Sequence, residues 1–427
     1  MAEYQPTSGL GWIHFSDKDK EKVMKIIEML KPDGTLDELG VGVVRLYLSD
    51  AMFKGITTIM TRAKYFFIVP RILHTYLSLK GKTVKIREYL RIQENEIIHE
   101  LSEKYNDRNK GIIGKKIADY NKFVSSNNRK ELVNKPSNIY WGGIRAFHFY
   151  KGQSSLSEFL DDVDKNERQD YERGYQKSQG EKGDDRDANE DVGNPFSLPD
   201  YDLLWRKKLK INLTEDEADY FKHMIIDTQP TTLLAKVLTN KEWINDFLKA
   251  NNFNEMSDMP FVKELPEINR NIIYIARDFW KIMKGAHIRF NIILHERHGS
   301  KSFMKECQKE WIHWRDTMRS FDWDGFDRQH MWRLIKEHSP LKKPDTESFI
   351  NNWMDKIKSE NINLTELDEL VEKQEKKNKR ELSKLNKSND ENYSNWIGIS
   401  AMDFRFRNAR RILEDIASGI GIIDAEL

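Results

Sequence analysis

A chain of 427 residues exceeds what one compact core accommodates, and 11 Trp, 21 Phe and 15 Tyr supply enough core material to exclude global disorder. Its one cysteine, Cys307, excludes an intramolecular disulfide and a cysteine-rich zinc site. The formal net charge of +1 conceals a polarity: Lys and Arg outnumber Asp and Glu more than two to one between Lys54 and Lys151, and the balance reverses from Glu158 to Asp191.

Met1–Asp17 carries no long apolar run, and no window approaches the ~20 apolar residues of a spanning helix. The expectation is a soluble, cytoplasmic protein with no membrane partner. Ser16-Asp17 caps a helix from about Lys18 to Leu30, which Pro32-Asp33-Gly34 ends. Leu39, Val43, Leu46, Tyr47 and Ala51 suit a helix, and a second long helix is expected from Thr57 to Leu79, bent or interrupted at Pro70. Val84–Lys104 is amphipathic, Ile112–Val124 is a short helix, and Pro136-Ser137 opens another. Ser154–Leu198 is acidic and almost free of aliphatic residues after Val163, the composition of a flexible linker.

Beyond it, Thr214 caps a helix over Glu215–Ile226, followed by Thr231–Asn240 and Lys241–Ala250. Pro266–His298 is the longest apolar-periodic run, and Lys301–Arg319 follows. Asp345–Lys358 and Leu364–Lys387 are helical by propensity, and Asn395–Gly419 is a closing amphipathic helix. Strand patterns are few. The fold class is therefore mainly α: two helical domains joined by an acidic flexible linker. The division expected is a basic N-terminal domain at 1–153, the linker at 154–198, a central domain at 199–345 and a C-terminal arm at 346–427.

No catalytic signature stands out. Gly81-Lys82-Thr83 ends like a phosphate loop, but Tyr76 occupies the position that must be glycine; Gly111–Lys116 has the wrong gap. No histidine has a lysine two residues on, which excludes phospholipase-D chemistry. Asp322, Asp324 and Asp327 crowd an aromatic turn whose glycine is misplaced for a calcium loop. Glu96/His99 and Glu310/His313 are Glu-x-x-His pairs of the kind di-iron bundles use, and the segment His287–His338 is histidine-rich. Packed or exposed histidines explain these as simply, so no metal and no cofactor is assigned.

Cations interleaved with aromatics are the more physical signal. Nucleic acid requires charges that neutralise phosphates beside rings that stack on bases. Arg62, Lys64, Arg71, Lys82, Lys85 and Arg87 fall in one stretch, and Lys115, Lys116 and Arg145 in a possible helix-turn-helix near 112–150. A solvated basic face that binds nothing is the plainer alternative. The acidic linker could fold back over this module and compete with phosphate.

Six segments, GWIHFS near the start, DELGVGVVR at Asp37–Arg45, FKGITTIMTRAKYFFIVP at Phe53–Pro70, PSNIYW at Pro136–Trp141, ARDF at Ala276–Phe279 and DFRFRNARRILEDIASG at Asp403–Gly419, together resemble an uncharacterised bacterial family. The resemblance spans nearly the whole chain. It departs at His14, Leu46 and Lys54, where an acid, Asp and Pro are expected. What it implies is a place in phage-defence islands beside helicases and phospholipase-D-like nucleases. The expectation is a non-enzymatic, DNA-engaging or adaptor subunit of a multi-gene anti-phage system, with DNA and a neighbouring helicase or nuclease as partners. The alternatives are a metal-dependent nuclease, or other enzyme of unrecognised type, and a purely protein-binding scaffold.

Overall fold

A computed structural model describes residues 37–105, 111–113, 134–166, 194–202, 204–338, 344–359, 361–386 and 393–424. The protein is mainly α-helical. In chain order the helices are α1 (Gly42–Phe53), α2 (Tyr65–Ser78), α3 (Ile86–Lys104), α4 (Pro136–Ala146) and α5 (156–166). Then come α6 (Glu215–Thr228), α7 (Leu233–Leu238), α8 (Lys241–Lys249), α9 (Phe253–Ser257) and α10 (Phe261–Glu264). The last are α11 (Glu267–His298), α12 (Lys301–Arg319), α13 (Arg328–His338), α14 (Pro344–Lys358), α15 (Leu364–Lys379) and α16 (Phe406–Gly419). Among the described residues only isolated bridges, Tyr150 with Phe196 and Gly299 with Tyr393, represent β pairing.

Local chemistry starts many of these helices. The Thr214 hydroxyl accepts the Glu217 N–H while the Glu217 carboxylate accepts the Thr214 N–H, so two backbone donors that α6 leaves free are satisfied reciprocally. Thr232, Asn240, Asn252, Ser300 and Asn363 cap α7, α8, α9, α12 and α15 in the same way from one side.

The described chain divides into two compact units that interleave in sequence. One joins residues up to Arg45 with Ile275–Met402; the other joins Leu46–Tyr274 with Asp403 onward. This differs from the division by composition, because the closing helix packs with residues more than 150 positions earlier. In the second unit α16 lies against α6, close enough that a Cβ on Gly419 would sit 2.4 Å from the Ala218 Cβ.

Helix α2 is the hub of that unit. Ten of its residues, Tyr65 through Leu73 and Tyr76, are buried, and it runs through Pro70 without ending. Phe66 packs against Tyr140, Phe147, Phe149 and Phe221, with centroids 4.6–5.9 Å apart. A Cβ on Gly143 would lie 2.4 Å from the Gly55 carbonyl oxygen, so glycine is what admits α4 to this contact. The expected linker begins as structure: α5 brings Phe159 into a cluster with Trp141, Tyr150 and Phe196 at 5.3–5.6 Å. Residues 167–193 of that stretch lie outside the described residues, as do the expected helix at 18–30 and most of Ile112–Val124.

The first unit is built on tryptophans. Trp311, Trp314 and Trp353 pack together with ring centroids 4.8–6.4 Å apart, and the Trp314 and Trp353 indoles donate to the carbonyls of Lys281 and Ile282 on α11. A Cβ on Gly285 would meet the Trp314 ring at 2.3 Å.

Candidate functional site

Three of the motif segments, Phe53–Pro70, Pro136–Trp141 and Asp403–Gly419, meet at a loop. Residues 54–64, of which Thr57 onward was expected to be helix, form irregular chain whose backbone is held by side chains far away in sequence. Arg405 donates to the Ile56 carbonyl, and Asn408 donates to those of Thr58 and Met60. The Tyr140 hydroxyl accepts from the N–H groups of Thr61 and Arg62 and donates to the Arg62 carbonyl. Asp415 accepts the Ala63 N–H at 2.7 Å. With so many backbone groups satisfied from outside, helix has no advantage there.

Three of the expected phosphate contacts lie inside this construction. Arg62, Lys64 and Arg71 are only 4–5% exposed. The Arg62 guanidinium meets Asp415 at 2.8–3.0 Å and the Asn212 side-chain oxygen at 2.7 Å. Lys64 and Arg71 share the buried Glu217 carboxylate at 2.5 and 2.6 Å, and Arg71 lies over the Tyr201 ring at 4.7 Å. Burial pushes the Asp415 carboxyl up, with Arg62 opposing. Burial likewise raises Glu217, but its two cations overcome it and hold the carboxyl below its ordinary value. A cation neutralised by a buried carboxylate does not reach phosphate, so the sequence reading of these three as interface residues is corrected: they are internal ion pairs.

The remaining cations lie outside that core. Between α2 and α3 runs the loop 79–85, with Lys80 and Lys85 exposed and Lys82 half-buried, its Nζ 4.8 Å from the Tyr76 ring. Gly81 has φ +67°, and a Cβ there would meet nothing within 4 Å, so the loop tip projects into solvent. Arg87, in the first turn of α3, is exposed and pairs with Asp161 at 2.6 Å. Glu88, the one acid in this stretch of sequence, pairs with Arg91 at 2.6 Å. Arg145 lies apart from the loop in sequence, half-buried on α4 and donating to the Gln153 carbonyl at 2.7 Å. Lys115 and Lys116 lie outside the described residues, so the helix-turn-helix is represented only by α4.

A family model described as a family of unknown function, DUF6361, matches residues 7–420. The chain belongs to the DUF6361 family. No curated protein and no solved structure matches it.

In this DUF6361 chain Glu96, His99, Glu310, His295 and His298 make other contacts. Glu96 pairs with Arg206 at 2.9 Å and His99 with Glu103 at 2.8 Å; Glu310 pairs with Lys284 at 2.8 Å. The His295 and His298 rings face the carbonyls of Asn395 and Leu385 at 3.0 and 3.4 Å. Among the described residues no three His, Cys, Asp or Glu side chains are grouped to hold a metal ion. Cys307 is buried, and burial pushes its thiol up to about 12, which removes it as a nucleophile near neutral pH.

What sequence reasoning missed are the buried carboxylates of the DUF6361 motifs. Glu38, in the DELG segment, is 1% exposed; neither carboxylate oxygen makes a hydrogen bond, and Lys384 and Lys379 stand 3.7 and 3.9 Å away. Burial raises its carboxyl to about 7. Beside it Glu375, also buried and raised by burial, accepts from the Ser383 hydroxyl and the Lys384 N–H. The Asn378 amide fixes the segment by donating to the carbonyls of Asp37 and Glu38. An acidic residue beside an apolar-periodic run was the available signal; its burial was not.

Proposed function

We propose that this DUF6361 protein is a non-enzymatic, helical nucleic-acid-engaging adaptor, and that the α2–α3 loop with the start of α3 is its phosphate contact. The observation that supports the reading is the exposure of Lys80 and Lys85 on one short segment, with half-buried Lys82 between them and the tip at Gly81 open to solvent. Such cations neutralise phosphates without reading bases, which suits a sequence-independent grip on the backbone. The family resemblance extends the reading to a multi-gene anti-phage system, with a helicase or nuclease as the component the adaptor would serve.

The test is fluorescence-anisotropy binding of single- and double-stranded DNA across a salt series, comparing wild type with Lys80, Lys82 and Lys85 changed together to Ala. Each duplex phosphate contact contributes about 0.9 to the slope of log affinity against log salt, so three lost contacts flatten it by roughly 2.7. Lys207 and Lys208 changed to Ala serve as the charge control. No binding at low salt, or equal slopes in wild type and the loop variant, would end this reading.

A further inference from the structure

Helix α5 opens the acidic stretch, and its own residues fix its start. The Ser155 hydroxyl accepts the Glu158 N–H at 3.2 Å while the Glu158 carboxylate accepts the Ser155 N–H at 2.7 Å, a reciprocal cap. The chain just before it is tied to α4: Arg145 donates to the Gln153 carbonyl at 2.7 Å, and the Trp141 indole donates to the Ser154 carbonyl at 3.0 Å. Phe159 and Leu160 are buried, and the Phe159 ring lies 5.3–5.6 Å from those of Trp141, Tyr150 and Phe196. Helix α5 is therefore held in place by aromatic packing and by bonds from α4.

Its charged side meets the start of α3. Ser157 and Asp161, four residues apart, share one face of the helix. There the Arg87 Nη2 donates to the Ser157 carbonyl at 3.0 Å, to the Ser157 hydroxyl at 3.1 Å and to the Asp161 carboxylate at 2.6 Å. The Arg87 and Asp161 side chains are 44% and 66% exposed, and an ion pair so open to water adds little to stability. Its effect is on what else Arg87 can hold. Three oxygens, one of them charged, already surround the guanidinium edge that a phosphate would approach. Glu158 and Asp162, exposed on the same helix, add negative charge beside it.

We propose that α5 is an autoinhibitory element of the phosphate contact, withholding Arg87 from a nucleic-acid backbone by setting the Ser157 and Asp161 oxygens in the place of phosphate oxygens. This rests on the reading of the α2–α3 loop and the start of α3 as that contact. Because packing on α4 positions Asp161 in advance, the carboxylate competes at high local concentration. Lys80 and Lys85 are left to grip the backbone, and Arg87 joins them only when α5 lets it go.

The salt-series anisotropy measurement tests this on wild type, Asp161→Ala, Asp162→Ala and the double variant Arg87→Ala with Asp161→Ala. All three side chains are exposed, so the core is left alone. Asp161→Ala is expected to bind DNA roughly fivefold tighter at low salt, the scale of one unit charge about 4 Å away in water. Its slope of log affinity against log salt steepens by about 0.9, one regained phosphate contact. Asp162→Ala removes the same charge without touching Arg87 and keeps the wild-type slope. The double variant, equal to wild type in net charge, returns to that slope as well. Phenylglyoxal modification of Arg87, followed by mass spectrometry, reads the contact without DNA and should run several-fold faster in Asp161→Ala. Equal slopes for Asp161→Ala and wild type, or the same steepening in Asp162→Ala, overturns the proposal and leaves the loop reading standing. Equal modification rates overturn it whether or not DNA binds. Binding by neither wild type nor Asp161→Ala ends the loop reading and this proposal with it, whereas binding by Asp161→Ala alone supports both.

Discussion

Replacing Glu38 by glutamine is expected to make the protein more stable as the pH rises, against the usual outcome of removing a buried charge. The Glu38 carboxyl is raised from 4.5 to about 7, with burial as the dominant cause and Lys379 and Lys384 opposing it. A carboxyl that holds its proton more tightly when folded favours the folded state below its unfolded value. That contribution is lost as the pH climbs from 4.5 towards 7. The difference of about 2.5 units corresponds to about 3 kcal/mol, as an upper figure. Lys379 and Lys384 lose a neighbour in the variant, and this subtracts from the gain. Glu375 is one of the causes that raise Glu38, and the variant loses that repulsion as well. Urea unfolding followed by tryptophan fluorescence at pH 5, 6, 7 and 8 gives the difference directly. Near pH 5 Glu38→Gln should equal wild type or fall slightly below it; by pH 8 it should exceed wild type by 1–3 kcal/mol, a range scaled from that figure. A difference that is flat with pH, or that moves the other way, refutes the assignment of a buried, unbonded carboxylate.

The Arg62–Asp415 pair predicts the opposite sensitivity. Asp415→Asn leaves a buried guanidinium without its counter-charge, at a cost of about 3–5 kcal/mol, and the paired change Arg62→Met with Asp415→Leu should recover much of it; chemical denaturation of the single and double variants measures both. Cys307 should react with a maleimide or disulfide reagent in folded protein orders of magnitude more slowly than in urea, because its thiol is buried and raised to about 12; comparable rates would refute its place in the core. Gly143→Ala should cost 1–3 kcal/mol in thermal unfolding, as overpacking against the Gly55 carbonyl and the Phe66 ring requires; an unchanged melting temperature would show that α4 has room to shift.

Where an element rests on its own residues, the sequence declared it. The mainly α class, the Thr214 cap on α6, the long run that became α11 and the helices α12 and α14 all follow from apolar spacing and capping chemistry within a few positions.

Tertiary structure alone decided which charges are outside. Arg62, Lys64 and Arg71 look the same in sequence as Lys80 and Lys85, but their carboxylate partners Glu217 and Asp415 arrive from helices 146–353 positions away. The same distance explains the two misread helices. Residues 57–64 and 395–405 have adequate helical propensity, yet side chains from Tyr140, Asn408 and Asp415, and from Asn291 and His295, already satisfy their main-chain groups. Propensity is local and worth tenths of a kcal/mol per residue, whereas a buried backbone group left unpaired costs about 1–3 kcal/mol, so the distant partner prevails.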